Sequence, residues 1–181
     1  MGIITKSSIR NYSNSLPSYR SATMLFSEAH KNDRSTYTTS VFLSHSHLDA
    51  DYVKDIVAFL RNQGVSCYVD WMDDTMPEKT SGVTAIKIKE KITDNDKFIF
   101  LATNNSLVSK WCNWEVGYGD ARKYLNKIAL LPLKDDYGEW KGNEYLQIYP
   151  YIYESDSSRG TYWVKYPNGT VLSFSEWLKR K

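Results

Sequence analysis

From residue 38 onward the chain alternates short apolar runs with stretches of helical periodicity. The runs are Ser40 to Ser44 (SVFLS), Ser66 to Val69 (SCYV), Lys97 to Thr103 (KFIFLAT) and Ile128 to Leu133 (IALLPL). Each is too short for a helix and reads as a strand. Between the first two, Val53, Ile56, Val57 and Leu60 recur at i, i+3, i+4 and i+7, which predicts a helix that Asp49 caps and Gly64 ends. A second helix is predicted from about Val83 to Ile92, capped by Thr80 or Ser81, and a third from about Lys110 to Leu125, capped by Ser109. Strands alternating with helices predict an α/β fold, an open parallel sheet whose crossover helices cover both faces.

The two ends follow other patterns. Residues 1–39 are rich in Ser, Asn, Thr and Tyr and read as an N-terminal extension with one helix over Ser18 to Lys31. After Leu133 a loop leads to a last apolar run, Ile148 to Tyr153. Thr161 to Tyr166 and Thr170 to Phe174, joined through Pro167-Asn168-Gly169, predict a β-hairpin with an Asn-Gly turn, and a short helix from about Ser175 to Arg180 closes the chain. The expected division is an extension over 1–39, a domain over 40–154, and a hairpin with a short helix packed on it over 155–181.

Composition narrows the function classes. The chain has 181 residues and is 41% hydrophobic before its nine Gly are added, the profile of one globular domain with a real core. Lys and Arg number 23 against 21 Asp and Glu, with no block of one sign, so a nucleic-acid partner is not expected. No apolar run approaches the roughly 20 residues that span a bilayer, and MGIITKSSIR lacks the apolar core of a leader. Lys6 stands where a myristoylation signal wants Ser or Thr. A cytoplasmic protein without membrane attachment is expected. Cys67 and Cys112 are too few for a disulfide framework and are expected as thiols. Aromatic residues reach 14%, with 14 Tyr and 6 Trp. Trp140, Trp163 and Trp177 fall in the C-terminal part, where packing is the expected role.

In an open α/β sheet, ligands bind outside the carboxyl ends of the strands. The residues to weigh are therefore those after each run: Ser44 to His47, Asp70-Trp71, Asn104-Asn105 and Lys134. HSHLDAD (His45 to Asp51) suggests the HxHxDH pattern of zinc hydrolases, but its sixth position is Ala50 and the chain has three His in all. Too few ligands remain for such a site, and no metal is expected. A phospho-acceptor reading of Asp70 fails because Ser44 and His45 occupy the place of the acidic pair. Glu115 differs from these. Trp111, Cys112, Tyr118 and Gly119 stand at i−4, i−3, i+3 and i+4 from it, where a helix surface would place a salt-bridge partner, and none is cationic. A carboxylate among such neighbours is partly desolvated. It lies about 9 Å into the helix, within reach of the loops after the strands. Trp111 offers a flat ring suited to a cationic planar ligand, whereas Cys112 has no cation nearby to make it a thiolate nucleophile.

SVFLSHSHLD, CYVD with the following loop WMDDTMPEKTSG, KFIFLAT and SLVSKWCNWEVG together resemble the successive signatures of bacterial TIR (Toll/interleukin receptor) domains, over about residues 38–154. The resemblance implies a flavodoxin-like sheet. It implies an enzyme that cleaves the nicotinamide–ribose bond of NAD+, with Glu115 catalytic, NAD+ as substrate and no cofactor. Ser44, His45, Trp71, Asn104, Trp111 and Cys112 are the residues it places at the substrate. The chemistry suits a single carboxylate, since the cationic nicotinamide leaves neutral and positive charge develops on the ribose. Water as acceptor gives ADP-ribose and an internal acceptor gives a cyclic ADP-ribose; both stay open. The loop from Trp71 to Gly82 keeps Pro77 and Gly82 of the family's pattern without its Arg-Asp-Pro-Gly core. A lone bacterial TIR of this kind resembles the signal-producing component of Thoeris-type antiphage systems, which implies TIR–TIR self-association and a separate effector protein that responds to the nucleotide. The alternative is a non-catalytic TIR adaptor acting by assembly alone.

Overall fold

Every apolar run becomes a strand of one sheet. The computed structural model describes residues 2–17, 39–77, 79–140 and 142–180, so the helix expected over 18–31 lies outside the described residues. The strands are β1 (Ile4–Thr5), β2 (Ser40–Ser44), β3 (Ser66–Tyr68), β4 (Lys97–Ala102), β5 (Ile128–Lys134), β6 (Tyr151–Glu154), β7 (Tyr162–Lys165) and β8 (Val171–Ser173). They form an eight-stranded sheet in the order β3-β2-β4-β5-β6-β7-β8, with β1 alongside β5. Pairing is parallel from β3 through β6 and antiparallel across β6, β7 and β8. Phe42 stands opposite both Tyr68 and Phe98, a stacked aromatic row that a one-residue slip would turn to the other face.

Six α-helices are seen among the described residues: α1 (Lys6–Ser15), α2 (Ala50–Asn62), α3 (Gly82–Asp94), α4 (Asn104–Val108), α5 (Lys110–Arg122) and α6 (Phe174–Lys179). One face of the sheet buries Val53, Ile56 and Leu60 of α2 with Ile9 of α1 and Trp177 and Leu178 of α6. The other buries Ile88 and Ile92 of α3 with Cys112 and Val116 of α5. Each large side chain so buried contributes on the order of 2 kcal/mol. The start signals act much as the sequence suggests. Ser81 and Thr84 form a capping box before α3, and Ser109 Oγ accepts from the Cys112 N–H at 3.3 Å. Gly64 stops α2 at φ 84°, a conformation glycine adopts without steric cost.

Asp49 corrects one expectation. It precedes α2 but its side chain makes no capping bond there. The carboxylate is fully buried and turned to the loop after β4. At the N-terminus, Ile4 and Thr5 pair with Leu133 and Lys134 of β5, and Ile9 is 1% exposed. The hairpin loop holds three residues: the Tyr166 N–H donates to the Thr170 carbonyl at 2.8 Å and Gly169 takes φ 88°, the type I turn plus bulge that this loop length favours.

The chain runs from β2 through α2 to β3 on one side, then through α3 to β4 on the other. The direction of winding thus reverses between β2 and β4, and the crevice beyond their carboxyl ends is where an open sheet receives a ligand.

Candidate functional site

Ser44 is the last residue of β2 and is 1% exposed. Its Oγ donates to Glu115 Oε2 at 2.6 Å, so strand end and helix meet at the switch point. A close fit of α5 on β4 sets this distance: a Cβ on Gly119 would lie 3.2 Å from the Phe98 ring, tighter than ordinary packing allows. Glu115 is 5% exposed. Its carboxyl is pushed up to about 8, chiefly by burial and further by the charge of Asp70, with the Ser44 hydroxyl opposing. A buried carboxyl with one hydroxyl donor and no cation within ion-pair reach among the described residues is poised to meet positive charge brought by a ligand.

A second group stands beside it. His45 follows Ser44, and its Nδ1 lies 3.1 Å from the Leu43 carbonyl. The Trp71 indole N–H donates to His45 Nε2 at 2.7 Å, and Asp70 Oδ1 lies 3.8 Å from the same nitrogen. Trp71 is 48% exposed. The loop that carries it is tied down at Asp73, which accepts from Tyr68 OH at 3.0 Å and from Thr75 Oγ1 at 2.6 Å and pairs with Lys91 at 2.9 Å. Burial alone would raise the Asp73 carboxyl, but these bonds outweigh it and hold the group well below the usual carboxylate range.

The other expected residues lie around this centre. Trp111 is one turn before Glu115, partly exposed, with its ring edge-on to Trp114 at 5.4 Å. Trp114 stacks on Tyr118, and Lys89 sits over both rings. Cys112 is buried in the core beneath α5, and burial pushes its thiol up to about 12, which keeps it uncharged. Asn104 is exposed and donates to the Glu139 carbonyl at 3.3 Å. His47 is exposed on the turn after β2. Among the described residues no three His, Cys, Asp or Glu side chains converge as metal ligands.

Asp49 and Asn105 stand out in the sequence, as a helix cap and among the residues after the strands, whereas Thr103 and the contact that joins the three were missed. Asp49 accepts from Thr103 Oγ1 at 2.5 Å and from Asn105 Nδ2 at 2.8 Å, locking the loop after β2 to the loop after β4. Thr103, the polar residue that ends the KFIFLAT run, was the available signal. A separate cavity of about 540 Å³ lies at the β5–β6 seam, lined by Trp140, Tyr149, Tyr151 and Tyr153. Neither Glu115 nor Ser44 lines it, and it provides no counterpart to their chemistry.

The TIR domain family model matches residues 41–162. The chain belongs to the TIR domain family. It is 32% identical over 168 residues to a Bacillus cereus (strain MSX-D12) protein named a probable 3′ cyclic ADP-D-ribose synthase, ThsB′, covering 89% of this chain and 86% of that protein. It is 33% identical over 99 residues to a Cytobacillus dafuensis protein provisionally named a cyclic ADP-D-ribose synthase, TIR2. That match takes in 53% of this chain and 26% of the relative. No helix among the described residues is long and apolar enough to cross a membrane.

Proposed function

We propose that the protein cleaves the nicotinamide–ribose bond of NAD+ and closes the remainder into a cyclic ADP-ribose, as the signal-producing component of a Thoeris-type antiphage system. The observation that carries this reading is the buried Glu115–Ser44 pair at the carboxyl edge of the sheet, in a family member whose relatives are named cyclic ADP-D-ribose synthases.

The bond breaks with its electron pair going to the nicotinamide nitrogen. Nicotinamide departs neutral and positive charge develops on the ribose. Glu115 as carboxylate stabilises that charge from a fixed, poorly solvated position, where an electrostatic contact is worth far more than in water. Since burial pushes the free carboxyl up to about 8, the protonated form prevails at neutral pH. Entry of the cationic nicotinamide ring favours the carboxylate, and the proton passes to solvent. The negative charge is then present when substrate is bound. A hydroxyl of the same molecule attacks the ribose carbon and gives its proton to Glu115, leaving a cyclic product; water in its place gives ADP-ribose.

Trp111 and Trp71 supply aromatic surface to the nicotinamide, with Ser44 orienting the acid. Asn104 and Cys112 complete the site, Asn104 at its rim and Cys112 as packing beneath the helix. NAD+ is consumed as substrate and no cofactor is required. The loop at 71–82 carries self-association, and a separate effector protein reads the product. Both relatives carry enzyme names, which favours this reading over a non-catalytic adaptor. Mass spectrometry of NAD+ incubated with purified protein tests it. A mass equal to NAD+ less nicotinamide, without added water, is expected. ADP-ribose alone would reject the cyclisation while leaving the cleavage intact.

A further inference from the structure

The bonds around His45 fix more than its own place. The Leu43 carbonyl can only accept, so His45 Nδ1, 3.1 Å away, carries the ring proton. Nε2 then keeps its lone pair and accepts the Trp71 indole N–H at 2.7 Å. The imidazole is 3% exposed, held between the end of β2 and the turn at Asp70. Trp71, by contrast, is 48% exposed, and a half-exposed ring on a loop samples several rotamers unless something holds it. Its backbone N–H is also tied, donating to Asp70 Oδ1 at 2.9 Å. The ring is thus fixed at its polar edge, one residue from the Ser44 side chain that bonds Glu115.

We propose that His45 is a positioning residue, whose buried imidazole accepts the Trp71 indole N–H and holds the ring in the orientation that receives the nicotinamide. The inference rests on the NAD+-cleaving reading of the site. Trp71 contributes through its face, which attracts a cationic ring, and His45 contributes through Trp71. Nicotinamide is cationic in the substrate and neutral when it leaves, so the ring contact is at least as strong in the ground state as at the transition state. Releasing Trp71 therefore raises KM more than it lowers kcat.

The test combines His45→Phe, His45→Gln and Trp71→Phe with two readouts. In ¹⁵N-labelled protein the Trp71 indole N–H resonance, assigned by its loss in Trp71→Phe, reports the bond directly. His45→Phe, which keeps a planar ring without an acceptor, should move that resonance and speed its exchange with solvent. His45→Gln places a carbonyl oxygen near the Nε2 position and should retain the bond. For NAD+ cleavage, His45→Phe should raise KM about 5- to 10-fold with kcat within about 2-fold, and His45→Gln should stay within about 3-fold of wild type. In the Trp71→Phe background, His45→Phe should add less than about 2-fold, because residues acting through one contact are not additive. An unmoved indole resonance in His45→Phe, or effects of the two substitutions that simply multiply, overturns the proposal. If wild-type protein cleaves no NAD+, the catalytic reading fails, and the indole resonance alone still decides by the same criterion whether His45 holds Trp71.

Discussion

Replacing Glu115 by Gln should stabilise the fold, and by an amount that grows with pH. The buried carboxyl is pushed up to about 8 from an ordinary value of 4.5, so between those values the folded protein binds a proton that the unfolded chain has released. Stability from this group is fully present below 4.5 and is lost as pH rises to about 8. Each pH unit climbed in that window removes about 1.4 kcal/mol, and the whole window about 5 kcal/mol. Gln has nearly the same shape and can still accept from Ser44, but it carries no charge to bury. Urea unfolding of wild type and Glu115→Gln, followed by Trp fluorescence at pH 5.5 and pH 8, isolates the effect, because every other titrating group is common to the two proteins. The difference in stability should widen by about 3 kcal/mol across that interval. Near the unfolding midpoint this is about 6–12 °C for a chain of this size. Parallel profiles at the two pH values would mean that Glu115 titrates as an ordinary solvated carboxylate, and the electrostatic argument for the site would fail.

Ser44→Ala removes the donor that favours the Glu115 carboxylate; kcat/KM for NAD+ at pH 7.5 should drop about 10- to 100-fold, with the rise of the pH profile displaced to higher pH. Asp49→Ala leaves Thr103 and Asn105 without their shared acceptor and should lower unfolding free energy in urea by about 2–4 kcal/mol. Lys97 is buried at the start of β4, its Nζ 4.8 Å from the centre of the Trp177 ring. Burial, with the charge of Lys127 next, pushes its amine down to about 8. A lowered amine destabilises the fold at neutral pH and recovers as pH rises from 8 to 10.5. Lys97→Met should therefore raise stability at pH 7 by about 1–3 kcal/mol and by less at pH 10, measured by thermal unfolding.

The strands and crossover helices were legible because their periodicity is strong: Val53, Ile56, Val57 and Leu60 admit one reading, and all four are buried against the sheet. Glu115 stood out for a local reason, the lack of any cationic neighbour at helical spacing. α1 escaped notice because KSSIRNYSNS is polar, and within it Ile9 and Ser13 alone are buried. Asp49 has the sequence position of a cap, and only the tertiary fold reveals that Thr103 and Asn105 bind it from more than 50 residues away. The same holds for the Trp71–His45 bond, which spans 26 residues. Side chains that a strand end and a loop bring together leave no periodic trace in sequence. Trp71 and Trp111 can be singled out from their places, but not the partners that orient them.

In the proposed function Glu115 carries NAD+ cleavage, and nicotinamide release measures this directly. Purified wild-type protein, concentrated or supplemented with extract of phage-infected cells, is incubated with NAD+ beside folded Glu115→Gln, and nicotinamide is quantified by chromatography. Release by wild type and a loss of at least about 100-fold in the variant are expected. Equal release by both proteins, or none by wild type under either condition, would contradict that role of Glu115.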